Sequence, residues 1–396
     1  MLMLESSRKR ALKSPLQSQH TLKMPLKEHQ FSRRFQVAHS RDSPVTEWSP
    51  AMQIHEHVPL SSLTTLKVGG NARFVAVCAT EEELITALAH AREGGLPWYV
   101  IGGGSNILAR DEGYDGVIIQ PLFPELSFGE VTNSGDCLVI AGAGVVWDTL
   151  VDESVARGLW GLENLAAIPG LVGGAPVQNI GAYGADVSDT LLYVEALDTK
   201  TNSVFRLTKT ECNFGYRDSR FKHDPSLIIL HAAFLLSKNG EPKTDYPDLA
   251  RARHEGAVLT TPTAIAESVR GIRAHKFPDL SVSGTAGSFF KNPIISTKEY
   301  ADLQAIYPGI PSFPVTNPFS SQSAAAVKVP LAWILDKILN LRGYTKGRVS
   351  LFEHQPLVLV TSLGATASEV ESLAEYVENV VKEKTRIVIE REVRTL

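Results

Sequence analysis

The sequence predicts an α+β fold assembled from several small sheets. Strand-like apolar runs alternate with helix-like segments irregularly, without the regular spacing of a doubly wound array. No internal repeat and no heptad run occurs. The chain has 396 residues, 43% of them hydrophobic and 21% charged, which suits two or three ordinary globular domains.

Residues 1–52 stand apart. Arg8, Lys9, Arg10, Lys13, Lys23, Lys27, Arg33, Arg34 and Arg41 outnumber Glu5, Glu28, Asp42 and Glu47, and no apolar period is sustained. A disordered extension, or codons upstream of a start at Met24 or Met52, is the expected reading. A basic, Ser-rich targeting peptide is the alternative, and the lack of an apolar stretch argues against a secretory signal.

Folded sequence is expected from Ile54. Leu66 to Val77, with Gly69-Gly70, reads as a turn and a strand. Thr80-Glu81-Glu82-Glu83 is a capping box that starts a helix. Leu84, Leu88 and Ala91 share one face of it, and Gly94-Gly95 stops it. Trp98 to Ile101 reads as a short buried strand running into Gly102. Further strands are expected over 116–120, 137–141, 193–197 and 227–235, with a helix over 146–157. A late helix from about Ser368 carries Val370, Leu373, Ala374, Val377 and Val381 at helical spacing, and a strand follows at Arg386 to Ile389.

The net charge of −4 argues against a nucleic-acid or membrane-surface protein. Cys78, Cys137 and Cys212 are odd in number and widely spaced, which suits a reducing cytosol rather than a disulfide framework or a metal site.

Four segments carry chemistry. Gly102-Gly103-Gly104-Ser105-Asn106 follows a strand. Its backbone N–H groups can approach a phosphate closely, although it fits neither the P-loop nor the Rossmann pattern. Ile168 to Gly184 holds five glycines and two prolines with almost no charge, a backbone wall suited to a flat ring. Phe214 to His223 sets Arg217, Arg220, Lys222 and His223 among aromatics. This is either an anion clamp or a solvated face salt-bridged by Asp218. Gly284 to Pro293 places Ser288, Lys291 and Asn292 beside Phe289-Phe290. That mixture of apolar and reactive side chains usually lines a site. Ser288 lacks the Gly-x-Ser-x-Gly elbow of an acyl-transfer nucleophile.

In this order the segments resemble the UDP-N-acetylenolpyruvoylglucosamine reductase family, in its subtype with an extra tyrosine loop, from about Leu60 to Arg394. The motifs are Gly-Gly-Gly-Ser-Asn, Pro-Gly-x-x-Gly-x-x-Pro-x-Gln-Asn-x-Gly-Ala-Tyr-Gly, Phe-x-Tyr-Arg-Asp-Ser-x-Phe-Lys, Gly-x-x-Gly-Ser-Phe-Phe-Lys-Asn-Pro and Glu-Val-Arg.

The resemblance implies a two-subdomain FAD-binding fold of the vanillyl-alcohol oxidase/PCMH type plus a C-terminal α+β substrate-binding domain. The segments would be 1–52 as the basic extension, 53–121 and 122–278 as FAD-binding subdomains, 279–385 as the substrate domain, and 386–396 as a C-terminal strand carrying a catalytic Glu. FAD, reduced by NADPH, would reduce UDP-N-acetylglucosamine enolpyruvate to UDP-N-acetylmuramate. FAD would be noncovalent, because no histidine occurs in 101–108 to tether it. A cytoplasmic monomer is expected, with no nucleic-acid or membrane partner.

The resemblance also implies residue roles. Ser288 would be the proton donor, Arg217 the cation beside the reacting group and Glu392 the catalytic carboxylate. FAD would contact Gly102, Gly103, Gly104, Ser105 and Asn106, then Ile168, Pro169, Gly170, Gly173, Gly174, Gln178, Asn179, Gly181 and Ala182. Substrate would contact Tyr183, Tyr216, Tyr246, Arg273, Lys276, Asn292 and Gln355. Taken alone, Glu392 reads as a surface partner of Arg391 or Arg394.

Four departures stand out. Gly174 replaces a serine donor found in some members, so its own N–H would serve. Pro247 replaces a glycine beside Tyr246, and Phe352 a histidine before Gln355. Pro311 to Pro330 fits the family poorly. The alternatives are another FAD-linked oxidoreductase of the same fold, or a flavin- or nucleotide-binding protein without catalysis.

Overall fold

The computed structural model describes residues 53–315 and 326–396. The basic extension and the middle of the Pro311 to Pro330 segment lie outside the described residues.

The first sheet has the strand order Gln53–Pro59, Asn71–Cys78, Tyr114–Pro121, Trp98–Val100. The first pair is antiparallel, with Ile54 opposite Ala76. The other two pairs are parallel, and both Val75 and Tyr99 face Ile118. Helix Glu81–Glu93 makes the crossover. Its expected capping box forms: the Thr80 hydroxyl accepts from Glu83 N at 3.2 Å, and the Glu83 carboxylate accepts from Thr80 N at 3.1 Å. Leu84, Leu88 and Ala91 are fully buried against the sheet, as their spacing requires. Trp98–Val100 is only half-buried, because it borders a cavity.

The second sheet is antiparallel, in the order Ser203–Thr208, Leu191–Asp198, Leu227–Ser237, Asp136–Gly142, Leu126–Phe128. Helices Trp147–Ala156 and Pro262–Lys276 belong to its core. Trp147 Nε1 donates to Leu165 O at 2.9 Å, which satisfies the one polar atom of this fully buried side chain.

The C-terminal part combines two three-stranded sheets with helices Thr297–Ile306 and Ala367–Thr385. The late helix starts from Thr366, whose capping box with Glu369 precedes the expected Ser368. Val370, Leu373, Ala374, Val377 and Val381 are all fully buried, as the period predicts. The expected strand at Arg386 to Ile389 does not form. Arg386 is the left-handed helix cap (φ +63°), and the chain beyond it pairs only through a bridge between Arg391 and Phe290. Regular pairing returns at Arg394–Thr395, parallel to Ile107–Leu108, so the chain end closes onto the segment after the glycine loop. Among the described residues no helix is long and apolar enough to cross a membrane.

Candidate functional site

A cavity of about 750 Å³ lies where these parts meet. The triple-glycine loop forms one wall. At Gly103 a Cβ would come within 2.8 Å of Gly170 Cα. At Gly104 it would come within 1.9 Å of Leu63 O, and φ there is +62°. The two glycine-rich segments therefore touch backbone to backbone, which side chains would prevent. Gly104→Ala is expected to destabilise the fold by about 2–4 kcal/mol, adding left-handed strain to overpacking. A denaturation midpoint equal to wild type would refute this.

Of the cofactor residues named from the sequence, Gly102 to Asn106, Ile168, Pro169, Gly170, Gly173, Gly174, Gln178 and Gly181 line the cavity. Asn179 and Ala182 do not. Asn179 is spent internally, donating to Gly215 O at 3.0 Å and accepting from Ser188 N at 3.0 Å. The Gly174 N–H is also committed, donating to Leu171 O at 3.0 Å. It is therefore not the free donor expected in place of a serine. A Cβ at Gly174 would meet nothing within 4 Å, so the position has room for one.

The walls fit a flavin. Gln178 Oε1 is buried, faces the cavity lining and has no partner among the described residues. An orphaned buried acceptor of this kind needs a donor from a ligand. Asn106 has a second tie besides its place in the cavity wall: its Nδ2 donates to Glu392 O at 3.1 Å, joining the glycine loop to the chain end.

Ser288, Arg217 and Glu392, far apart in sequence, all line this cavity. Phe289 and Phe290, each 1% exposed, anchor the serine segment in the C-terminal core with their rings edge to face at 5.2 Å. Gly287, at φ +76°, turns the chain into it. On one side Phe289 N donates to Leu357 O at 2.8 Å, and on the other Glu392 N donates to Phe289 O at 2.8 Å. The aromatic pair thus anchors the backbone that presents Ser288 to the cavity. No described residue hydrogen-bonds the Ser288 hydroxyl.

Arg217 adopts φ +52° in a tight turn closed by Gly215 N donating to Asp218 O at 2.9 Å. A non-glycine residue there costs about 1–2 kcal/mol, a strain that functional sites often retain. Its guanidinium is held on several sides. Nε lies 3.3 Å from Glu392 Oε1, Nη1 lies 3.2 Å from Asp186 Oδ1, and Nη2 donates to Gly181 O. Asp218 does not compete, since it pairs with His223 at 2.9 Å.

The surface ion pair that Glu392 alone suggested is absent. Arg391 points to the opposite side, where it pairs with Glu378 at 2.6 Å and Glu371 at 2.5 Å on the late helix. Glu392 turns inward with 15% of its side chain exposed. Burial pushes its carboxyl pKa up, opposed by Arg217, Lys222 and Lys291.

Tyr216, Arg273 and Asn292 also line the cavity. Arg273 is seated by Nε donating to Ala167 O at 3.1 Å and by stacking over Phe277. Tyr183, Tyr246, Lys276 and Gln355 are not lining residues. The first three form an adjoining cluster: the tyrosine rings meet edge to face at 5.3 Å, and Lys276 Nζ lies 2.5 Å from Asp248. Burial raises the Tyr183 pKa to about 12, so this hydroxyl stays protonated. Pro247 starts a helix at Tyr246 rather than stiffening a loop, a position where its missing N–H costs nothing. Gln355 N donates to Phe352 O at 3.2 Å within the turn that precedes Leu357.

Sequence reasoning missed Lys328, whose ammonium lies 5.0 Å from the Tyr216 ring centroid. Burial, then Arg217, lowers its pKa. No motif contains it, and it follows residues 316–325, which lie outside the described residues.

Residues 72–208 match an FAD binding domain family, and residues 279–396 match the UDP-N-acetylenolpyruvoylglucosamine reductase C-terminal domain. Similar proteins bearing the reductase name include that of Pseudomonas aeruginosa, 35% identical over 86% of this chain and 98% of the relative. That of Xanthomonas campestris pv. campestris is 38% identical over 87% and 96%. The crystal structure of UDP-N-acetylenolpyruvylglucosamine reductase (MurB) from Thermus caldophilus superposes with a TM-score of 0.58 at 26% identity, covering 87% of this chain and 99% of that one. The chain belongs to the UDP-N-acetylenolpyruvoylglucosamine reductase family.

Proposed function

We propose that the protein reduces UDP-N-acetylglucosamine enolpyruvate to UDP-N-acetylmuramate, a step of peptidoglycan precursor synthesis, with NADPH as reductant and noncovalent FAD as carrier. The convergence of Arg217, Ser288 and Glu392 on the cavity bordered by the glycine-rich walls carries this reading. Bound FAD supplies the hydride, taken from NADPH and delivered to the terminal carbon of the enolpyruvyl group.

The rest falls to the chain. Hydride addition leaves negative charge on the neighbouring carbon and its carboxylate. Arg217 sets a fixed cation there, already oriented and so needing no reorganisation as charge develops. The Ser288 hydroxyl, free of protein partners among the described residues, gives its proton to that carbon. Serine is a weak acid, but an enolate carbon is a strong base, so a well-placed hydroxyl suffices. Glu392 holds the Arg217 Nε edge, and both of its peptide groups are tied, one to Phe289 and one to Asn106. Lys200, Arg273 and Arg394 add positive lining suited to phosphates. Tyr216 and Asn292 would contact the substrate directly, with Tyr183, Tyr246, Lys276 and Gln355 acting from the adjoining cluster and turn. Residues 53–121 and 122–278 would be the flavin-binding parts and 279–385 the substrate part, with 386–396 returning the carboxylate; their cores interlock, since Leu230 packs with the first sheet and Leu66, Val68 and Leu108 with the C-terminal part.

The test is anaerobic. Protein carrying FAD is reduced with one equivalent of NADPH, and UDP-N-acetylglucosamine enolpyruvate is added. Rapid return of the oxidised flavin absorbance is expected. Bleaching without return would reject this substrate.

The raised pKa of Glu392 has a consequence for stability. The folded protein binds this proton more tightly than the unfolded chain, so stability falls as pH rises through the window above the ordinary Glu value of about 4.3. Glu392→Gln is expected to flatten that decline. Identical pH profiles of urea midpoint for the two proteins would contradict it.

A further inference from the structure

We infer that Lys222 is a positioning residue for the reaction, acting by clamping the strained turn that carries Arg217; this rests on the reductase reading above. Lys222 Nζ donates to the Arg217 carbonyl oxygen at 2.6 Å. That carbonyl belongs to the residue held at φ +52°, where a side chain is disfavoured and the turn can relax by rotating its peptides. Relaxation would swing the guanidinium away from Glu392 and Gly181. The clamp is built locally. Helix Arg220–His223 follows the turn directly, Arg220 N donates to Cys212 O at 2.9 Å, and Phe221 is buried in the second-sheet core. The lysine therefore reaches the carbonyl from a fixed base.

Its surroundings make the bond sensitive to charge. Lys291 and Arg394 repel the ammonium, whereas Glu392 and Asp218 attract it. Burial, first, and then Lys291 bring the Lys222 pKa down to about 8. A neutral amine still donates, but roughly half as strongly as an ammonium. It also no longer helps ionise Glu392. Catalysis thus acquires an alkaline limit near pH 8 set by a group that touches no reacting atom.

The experiment follows the two half-reactions separately in the FAD-loaded protein. Lys222→Met is expected to leave flavin reduction by NADPH and substrate Kd within about twofold. It should slow reoxidation by UDP-N-acetylglucosamine enolpyruvate about tenfold to a hundredfold, and the alkaline limb near pH 8 should disappear. Lys222→Arg should recover most of the rate and move that limb upward. Combining Lys222→Met with Arg217→Lys should cost much less than the product of the single effects, because the lysine acts only through the arginine. Multiplicative effects, a raised substrate Kd as the sole change, or an unchanged alkaline limb would each overturn the inference. Should Lys222→Met not fold, Lys222→Gln keeps a neutral donor but no titrating ammonium, and an alkaline limb unchanged from wild type in that variant would overturn the inference equally. If the wild-type protein is not reoxidised by this substrate at all, the reductase reading fails instead.

Discussion

Ser288→Ala is expected to leave flavin reduction by NADPH nearly intact and to slow reoxidation by UDP-N-acetylglucosamine enolpyruvate about 10²–10⁴-fold, the usual worth of a positioned general acid. The asymmetry follows from geometry. The serine segment is pinned by backbone bonds on both edges, Phe289 N to Leu357 O and Glu392 N to Phe289 O, and by two buried rings. Losing one hydroxyl oxygen therefore disturbs neither the glycine walls nor the core. Rapid-mixing absorbance measurements of each half-reaction decide the matter. Equal losses in both would mean that Ser288 serves binding or structure instead of proton transfer.

Arg217→Lys is expected to slow reoxidation about 10²–10³-fold, comparable to removing a fixed charge-stabilising donor, although the charge is conserved. The guanidinium reaches Glu392 through Nε, Asp186 through Nη1 and Gly181 O through Nη2. A lysine carries its donors on one atom and cannot span three directions. The exchange also weakens the partner of a largely buried carboxylate, and the Glu392 pKa should rise further. A carboxyl-stretch titration of Glu392 by infrared difference spectroscopy would report that rise beside the kinetics. A Lys variant reoxidised at the wild-type rate would remove Arg217 from the chemistry.

Local physics made much of the fold legible. The Thr80 capping box, the Gly94-Gly95 stop and the 3.6-residue spacing of Val370 to Val381 each concern interactions within a few residues, and the structure reproduces them. The strand expected at Arg386 failed for an equally local reason, a left-handed helix cap that no glycine announces. At the site the glycine-rich walls were legible because backbone contact admits no side chain. Lys328 was not, because nothing beside it in sequence marks its approach to Tyr216.

The sequence by itself determined the order of the motifs, the residue types available for proton donation and charge stabilisation, and thereby the family. Only the tertiary structure decided how they are used. Arg391 and Glu392 are neighbours in an extended segment, so they point to opposite sides: one anchors to Glu371 and Glu378, and the other meets Arg217. Asn106 also tethers the chain end, and the Gly174 N–H is spent in a turn bond. Each of these outcomes depends on a partner brought close by folding. Hydrogen bonds and ion pairs act over a few ångströms and in fixed directions, and spacing along the chain does not encode that proximity.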